Sequence, residues 1–429
     1  PGIIWTPYGR SMERPYNEPI TAMIPFLPEG ASRMTMPLEG LRVVDLSRVL
    51  AGPFCTMMLG DMGAEILKVE NPDGGDDTRL WPPFYPGGES SYFQAVNRNK
   101  RSLTLNLKAG EGKAILRDLV READILVQNF RPGAVERLGF GWEDCRKLNP
   151  RLIYCSISGY GQTGPYRERP AYDILLQAEG GFMSITGTAD GPPCKGGIAI
   201  ADLTTALFAI QGILLAILAR QKTGRGQHVD IAIQDGQAAL MSHMAGNFFA
   251  TGKPPRRNGN RHPSISPYRE FRCADGEIIV AAANDGLWDR FARAIGREDL
   301  ADSPRWKKNP DRVAGREEIE REIETTLIRG KRAEWIERIS KGGVPCGPVK
   351  DLAEVTSDPQ VRHRGMVVEV EHARTGVLRM MGIPIKLSDT PGEVQLPPPL
   401  LGEHTEEILC GLLGRPKAGL AGLREKGVI

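Results

Sequence analysis

The chain has 429 residues, enough for two or three domains with a sizeable core. Its 55 basic and 53 acidic residues leave a net charge of +2, without the clustered basic excess that a nucleic-acid partner needs. Seven cysteines with no C-x-x-C pair, and six histidines of which none precedes His228, argue against a disulfide framework, a metal centre and a histidine triad drawn from the N-terminal half, and for reduced thiols in a cytoplasmic protein.

Residues 1–37 are rich in Pro and Met and carry acidic residues without any period, so they read as an N-terminal extension, not a signal or transit segment. Order begins with an apolar strand over 41–46, a Gly52-Pro53 turn, a helix through 57–62 and a second strand over 64–69. Further strands over 102–107, 124–128 and 152–158 alternate with helical stretches such as 111–121. Short apolar strands alternating with helices predict an α/β fold with a doubly wound, mostly parallel sheet. The longest apolar run, 203–219, contains Thr204, Thr205 and Gln211 and falls short of a comfortable membrane span. It reads as a buried helix, so no membrane is expected.

A strand over 228–233 and a helix near 234–250 follow, then a basic, Pro- and Gly-rich break at 253–267. Strands over 268–273 and 277–283, about an Asp275-Gly276 turn, form a β-hairpin that opens a smaller α+β unit with helices over 287–295, 317–328 and 332–340. Beyond 343 come paired strands over 367–371 and 376–381, a Pro397-Pro398-Pro399 punctuation and a last short helix. The expected domains are the extension 1–37, a large α/β domain over 38–225, a linker and small α+β domain over 226–342, and a return to the large domain over 343–429. The large domain is thus built from both chain ends, with the smaller one inserted.

One motif tempts and fails. Gly159-Tyr160-Gly161-Gln162-Thr163-Gly164 is a literal G-x-G-x-x-G after a predicted strand. Pro165 and Pro170 follow before any helical period at 173–177, and the match comes after several βα units. A nicotinamide oxidoreductase is therefore the weaker alternative, and a tight loop near a site the better reading.

Asp202 is the candidate that carries chemistry. It stands where the glycine-rich stretch Gly196-Gly197-Ile198-Ala199-Ile200-Ala201 enters the long helix. A carboxylate there is either an N-cap or a nucleophile kept ionised by the helix N-terminus, and geometry alone leaves both open.

Several stretches hold more polar and glycine residues than packing requires: Leu46-Ser47-Arg48-Val49-Leu50-Ala51-Gly52-Pro53, Gly75-Asp76-Asp77-Thr78-Arg79, Asn97-Arg98-Asn99-Lys100-Arg101-Ser102, Asn129-Phe130-Arg131-Pro132-Gly133 and Pro399-Leu400-Leu401-Gly402-Glu403-His404-Thr405. In this order, with the glycine loop, they resemble the class III CoA-transferases, the family of formyl-CoA transferase and L-carnitine CoA-transferase. The resemblance runs from about Leu38 to the C-terminus.

It implies that Asp202 is the nucleophile, attacking an acyl-CoA thioester, and that Lys108, Asn129 and Arg137 line the CoA site. It implies acyl-CoA and a small carboxylic acid as substrates, no tightly bound cofactor, and an interlocked homodimer. Arg48, at the carboxyl end of the first strand, is proposed to pair with a substrate carboxylate; a structural ion pair is the competing role. Leu50 stands where the formyl-CoA branch has glutamine, and the segment around His262 stands where that branch has a glycine-rich lid, which argues against oxalate or formate. The Ser47–Pro53 turn, the His262-Pro263-Ser264-Ile265 loop and the 399–405 tail look closer to the branch that moves CoA from succinyl-CoA to dicarboxylic acids, which places His262 with the substrate. His404 has no assigned role. The α-methylacyl-CoA racemases share the fold and are the nearer alternative, but Tyr172 stands where they have histidine, leaving Asp173 a structural or supporting part. A CoA-binding protein without turnover is the non-catalytic alternative.

Overall fold

The computed structural model describes residues 36–429, and the extension expected over 1–37 lies almost wholly outside the described residues. A six-stranded sheet runs in the order β3-β2-β1-β4-β5-β6, with every neighbouring pair parallel. Its strands are β1 (Arg42–Asp45), β2 (Glu65–Glu70), β3 (Lys100–Thr104), β4 (Ile125–Gln128), β5 (Ile153–Ser158) and β6 (His228–Ala232). Strands such as Ile-Leu-Val-Gln in β4 are buried along their whole length, as a sheet covered on both faces requires.

One face carries the helices Ala51–Asp61 and Ile200–Thr223, the other the helix Gly110–Glu122. Ile408, Leu409, Leu420 and Val428 from the far end of the chain join that second core, so both chain ends build the large α/β unit. A smaller α+β unit lies between them in sequence. Strands β7 (Tyr268–Cys273), β8 (Gly276–Ala281) and β9 (Cys346–Pro348) form an antiparallel sheet covered by helices Asp285–Ala294, Arg316–Leu327 and Arg332–Lys341. The remaining strands, β10 (Val367–His372) and β11 (Gly376–Met381), make a hairpin.

Three local expectations change. Gly52-Pro53 is no turn but lies in the first turn of helix Ala51–Asp61, where the missing proline N–H would be unpaired anyway. Gly52 is required there for closeness, since a Cβ would sit 2.2 Å from the Ser47 Cβ. The single helix expected near 234–250 is two, Ile233–Leu240 and Ser242–Thr251, broken where Ser242 takes φ +38°. The long helix is buried on one face only. Ala201, Thr205, Ala209, Ile213, Ala216 and Arg220 turn inward, and Leu207, Leu214, Leu215 and Leu218 turn out. Among the described residues it is the one helix long and apolar enough to cross a membrane, yet it is the crossover between β5 and β6, and its Arg220 pairs with Asp124 at the sheet.

The run Asn97–Ser102 is an anchor for the C-terminal segment. Arg98 forks onto Asp61 (2.8 and 2.7 Å) and donates to the Met381 carbonyl. Asn99 donates to Asp61 and the Glu393 carbonyl, and its Oδ1 accepts from the Gln395 and Leu396 amides. Ser102 gives its backbone N–H to His404 Nδ1 and its hydroxyl oxygen accepts from the Gly402 amide. The 399–405 tail thus lies along the open edge of β3, and His404 belongs to that docking. Asp61→Ala would strand the buried Arg98 guanidinium, so urea unfolding should show a loss of about 3–5 kcal/mol, with new proteolytic cuts within 382–396. Unchanged stability and no new cuts would contradict the anchor.

Candidate active site

The strand order reverses between β1 and β4, and in open α/β sheets ligands bind at the carboxyl ends of the strands at that point. A cleft of about 520 Å³ opens there, lined by Ser47, Arg48, Asp77, Lys108, Phe130 and Leu138 among others. A buried ion network forms its floor. Lys68 Nζ lies 3.0 Å from Asp76 Oδ2, and Lys100 Nζ 3.2 Å from Asp45 Oδ2, with all four side chains fully buried. Asp45 also accepts from the Ser47 and Thr56 hydroxyls. Glu70 accepts two bonds from Arg79 (2.8 and 2.7 Å) and one from the Asp76 amide (3.1 Å).

Burial opposes charge at each site, but the partners prevail for the carboxylates. Asp76 falls to about 2, chiefly through Lys68 and the Thr78 bonds, and Asp45 is lowered by Lys100 and Lys68. Burial takes Lys100 down to about 8, which leaves it protonated at neutral pH.

The expected binding residues fall at this edge to different degrees. Arg48 is half exposed on the cleft wall, its Nη1 3.3 Å from Asp77 Oδ2 and its guanidinium 5.9 Å over the Phe130 ring. Lys108 lines the same cleft. Asn129 faces the chain instead: its Oδ1 accepts from the Arg48 amide (2.9 Å) and its Nδ2 donates to the Arg48 carbonyl (2.7 Å). Arg137 is exposed on the short helix Ala134–Leu138, whose last residue borders the cleft. His262 is not on the cleft wall; its ring stacks on His243 and leans on Tyr268, and its Nδ1 accepts from the Ser264 amide.

Asp202 reaches the same edge by topology. A crossover helix runs antiparallel to the strands it joins, which puts the start of Ile200–Thr223 at the carboxyl end of the sheet. Asp202 does not cap this helix. Asp173 does: its Oδ1 accepts from the Ala201 (2.9 Å) and Asp202 (3.2 Å) amides, while Gln177 holds its Oδ2. Among the described residues no donor bonds the Asp202 carboxylate, which is half-buried. Burial first, and the Asp173 charge second, push its pKa up to about 7. The helix N-terminus therefore does not keep Asp202 fully ionised, as the sequence led one to expect. Burial outweighs it.

Tyr92 joins the two regions. Half-buried and pushed up to about 12, first by that burial, it senses Asp202, Asp173 and Asp76 together, and it meets Trp81 edge-on at 5.2 Å. Sequence reasoning missed Tyr92, Lys68, Asp76 and Lys100 as site residues. For Lys68 the signal was a charge within the apolar run of β2; Tyr92, Asp76 and Lys100 carried no such local mark.

The glycine loop stays a loop. Gly161 and Gly164 take φ +89° and +91°, and the next helix starts only at Asp173, so no helix N-terminus waits to receive a pyrophosphate.

Comparison with known proteins agrees with this fold. Residues 38–405 match the model of CoA-transferase family III. The chain is 42% identical to the succinate–glutarate CoA-transferase of Agrobacterium fabrum over 88% of its own length and 96% of the relative's. It is 43% identical to the acetyl-CoA:oxalate CoA-transferase of Acetobacter aceti over 87% and 94%. The crystal structure of a CaiB/BaiF family protein from Brucella suis superimposes with a TM-score of 0.80 at 40% identity, covering 88% of this chain and all of that one. The chain belongs to CoA-transferase family III and is an enzyme that transfers coenzyme A.

Proposed function

We propose that this enzyme moves CoA from an acyl-CoA donor, succinyl-CoA first among candidates, to a small dicarboxylic acid through covalent intermediates on Asp202. The observation that carries the reading is the Asp202 carboxylate, free of hydrogen-bond partners among the described residues and poised near neutrality at the carboxyl edge of the sheet. Asp173 takes the capping duty that would otherwise occupy it. The carboxylate attacks the donor thioester carbon, the C–S bond breaks, and a mixed anhydride and CoA thiolate form. The thiolate attacks the aspartyl carbonyl and expels the donor acid, leaving an aspartyl-CoA thioester. The acceptor carboxylate then repeats the sequence in reverse and regenerates Asp202. Lys108 and Arg137 supply charge for the CoA phosphates, and Asn129 acts by clamping the Arg48 backbone. Arg48 takes the second carboxylate of the acceptor, in competition with Asp77. His262 is kept as a substrate contact through its loop's resemblance to the dicarboxylate branch.

A dicarboxylate fits this division of labour, one carboxylate receiving CoA and the other serving as the handle. The Leu50 argument against oxalate weakens, because Leu50 is buried and a relative named for oxalate is 43% identical. Oxalate is itself the shortest dicarboxylate.

Incubation with succinyl-CoA followed by hydroxylamine or borohydride should modify Asp202, found by peptide mass spectrometry and lost in Asp202→Ala. An unmodified Asp202 across a panel of acyl-CoA donors would sink the covalent reading. The free-enzyme profile of kcat/KM should fall on the acid side of pH about 7. Between an ordinary carboxylate pKa and about 7 the native state holds a proton that the unfolded chain has lost, so native stability declines as pH rises through that window. Asp202→Asn should therefore raise Tm at pH 8 and not at pH 4; an equal gain at both would contradict the assignment.

The cytoplasmic location rests on the cysteine pattern. The homodimer is supported by apolar surface: Leu215 is 66% and Phe249 80% exposed in the single chain. Light scattering should show a dimer that Leu215→Glu weakens; a wild-type monomer would refute it.

A further inference from the structure

We propose that Asp76, seated on Lys68, is a positioning residue for the cleft: it holds Val49 in the left-handed backbone region and thereby fixes where Arg48 presents its guanidinium. Val49 is β-branched yet takes φ +69°, a conformation such residues adopt only under constraint. Its backbone N–H is shared between Asp76 Oδ1 (3.2 Å) and Oδ2 (3.3 Å). The Thr78 amide and hydroxyl fix Asp76 Oδ1 (3.0 and 2.8 Å), and Lys68 fixes Oδ2.

Three consecutive residues are each gripped through a backbone group. Lys68 Nζ donates to the Ser47 carbonyl (3.0 Å), Asn129 holds both backbone groups of Arg48, and Asp76 holds the Val49 amide. These grips leave the Arg48 side chain free to face the cleft, where Asp77 and Phe130 are its neighbours. An ion pair serving stability alone has no need to hold a strained turn at the point where the sheet order reverses. The inference rests on reading the cleft as the substrate site, with Arg48 on the acceptor acid.

Three full-chain variants test it, assayed with succinyl-CoA and glutarate. Asp76→Ala should raise KM for the acid about tenfold with kcat within about threefold, the pattern of lost positioning without lost chemistry. Adding Val49→Gly should return KM to within about threefold of wild type, since glycine occupies φ +69° unaided. Val49→Pro, which leaves the buried pair intact but forbids the positive φ, should raise KM like Asp76→Ala and decides the matter if Asp76→Ala does not fold. A wild-type KM in Asp76→Ala or Val49→Pro, or no recovery on adding Val49→Gly, would overturn the proposal. A wild-type enzyme that moves no CoA between these substrates would instead sink the underlying reading of the cleft.

Discussion

The large unit depends on one constraint: charges buried at the carboxyl edge of the parallel sheet must be paired, and their partners come from segments far apart in the chain. Lys68 lies within β2 and Lys100 opens β3, and both side chains are fully buried, so each needs a carboxylate and an acceptor backbone group close at hand. Asp45 and Asp76 provide the charges, while Ser47 and Pro53 provide the carbonyls. Removing one partner of such a pair costs about 3–5 kcal/mol, whereas replacing both by apolar groups is often neutral or better. Stability alone therefore does not call for this network. Its demand is geometric, since it can be satisfied only when the loops after β1 and β2 lie in one arrangement, and that arrangement shapes the cleft. A left-handed Val49 costs about 1–3 kcal/mol, and the surrounding bonds over-determine it.

Asp202 obeys the opposite logic. It also sits at the carboxyl edge, but nothing among the described residues neutralises it, and a second carboxylate stands next to it. A helix N-terminus stabilises an anion by about 0.3–1 kcal/mol at an exposed site, less than the roughly 1.4 kcal/mol of one pKa unit. A rise from 3.8 to about 7 spans several such units, so burial and repulsion win. Asp173 spends its own oxygen on the helix amides, which is why the dipole's best donors are already taken. The outcome is a carboxylate whose charged form burial and its neighbour both disfavour.

Much of the fold was legible because apolar runs of strand length and helical periods are local signals. All six parallel strands were found within a few residues of their ends, as was the β7–β8 hairpin. β9 was not, because Cys346-Gly347-Pro348 has no strand signature and is ordered only by pairing with β8. The motif stretches were legible as unusual but not in purpose. Asn99 meets Leu396, and Ser102 meets His404, across about three hundred residues of chain that no local pattern spans. Asp202 could be named from its setting, but its competition with Asp173 for the helix amides could not, since thirty residues and a loop separate them. His262 shows the converse: a residue placed by resemblance whose observed contacts are with its own loop and two neighbouring rings.

The long helix joins the chemistry to the proposed assembly. Its inner face is mostly small, alanines with Thr205 and Ile213 until Arg220 near its end, which lets it lie close on β5 and β6 and brings Asp202 near the sheet edge. Its outer face is leucine, and Ile198, Ile174 and Tyr172, near Asp202 or Asp173 in sequence, are exposed as well. Aspartyl anhydrides and thioesters hydrolyse, so a site that makes them must exclude water. Within one chain nothing among the described residues covers these side chains. A second copy seated on the leucine face would remove that apolar surface. In the proposed homodimer, the surface that calls for a partner and the carboxylate that needs shelter lie on one helix.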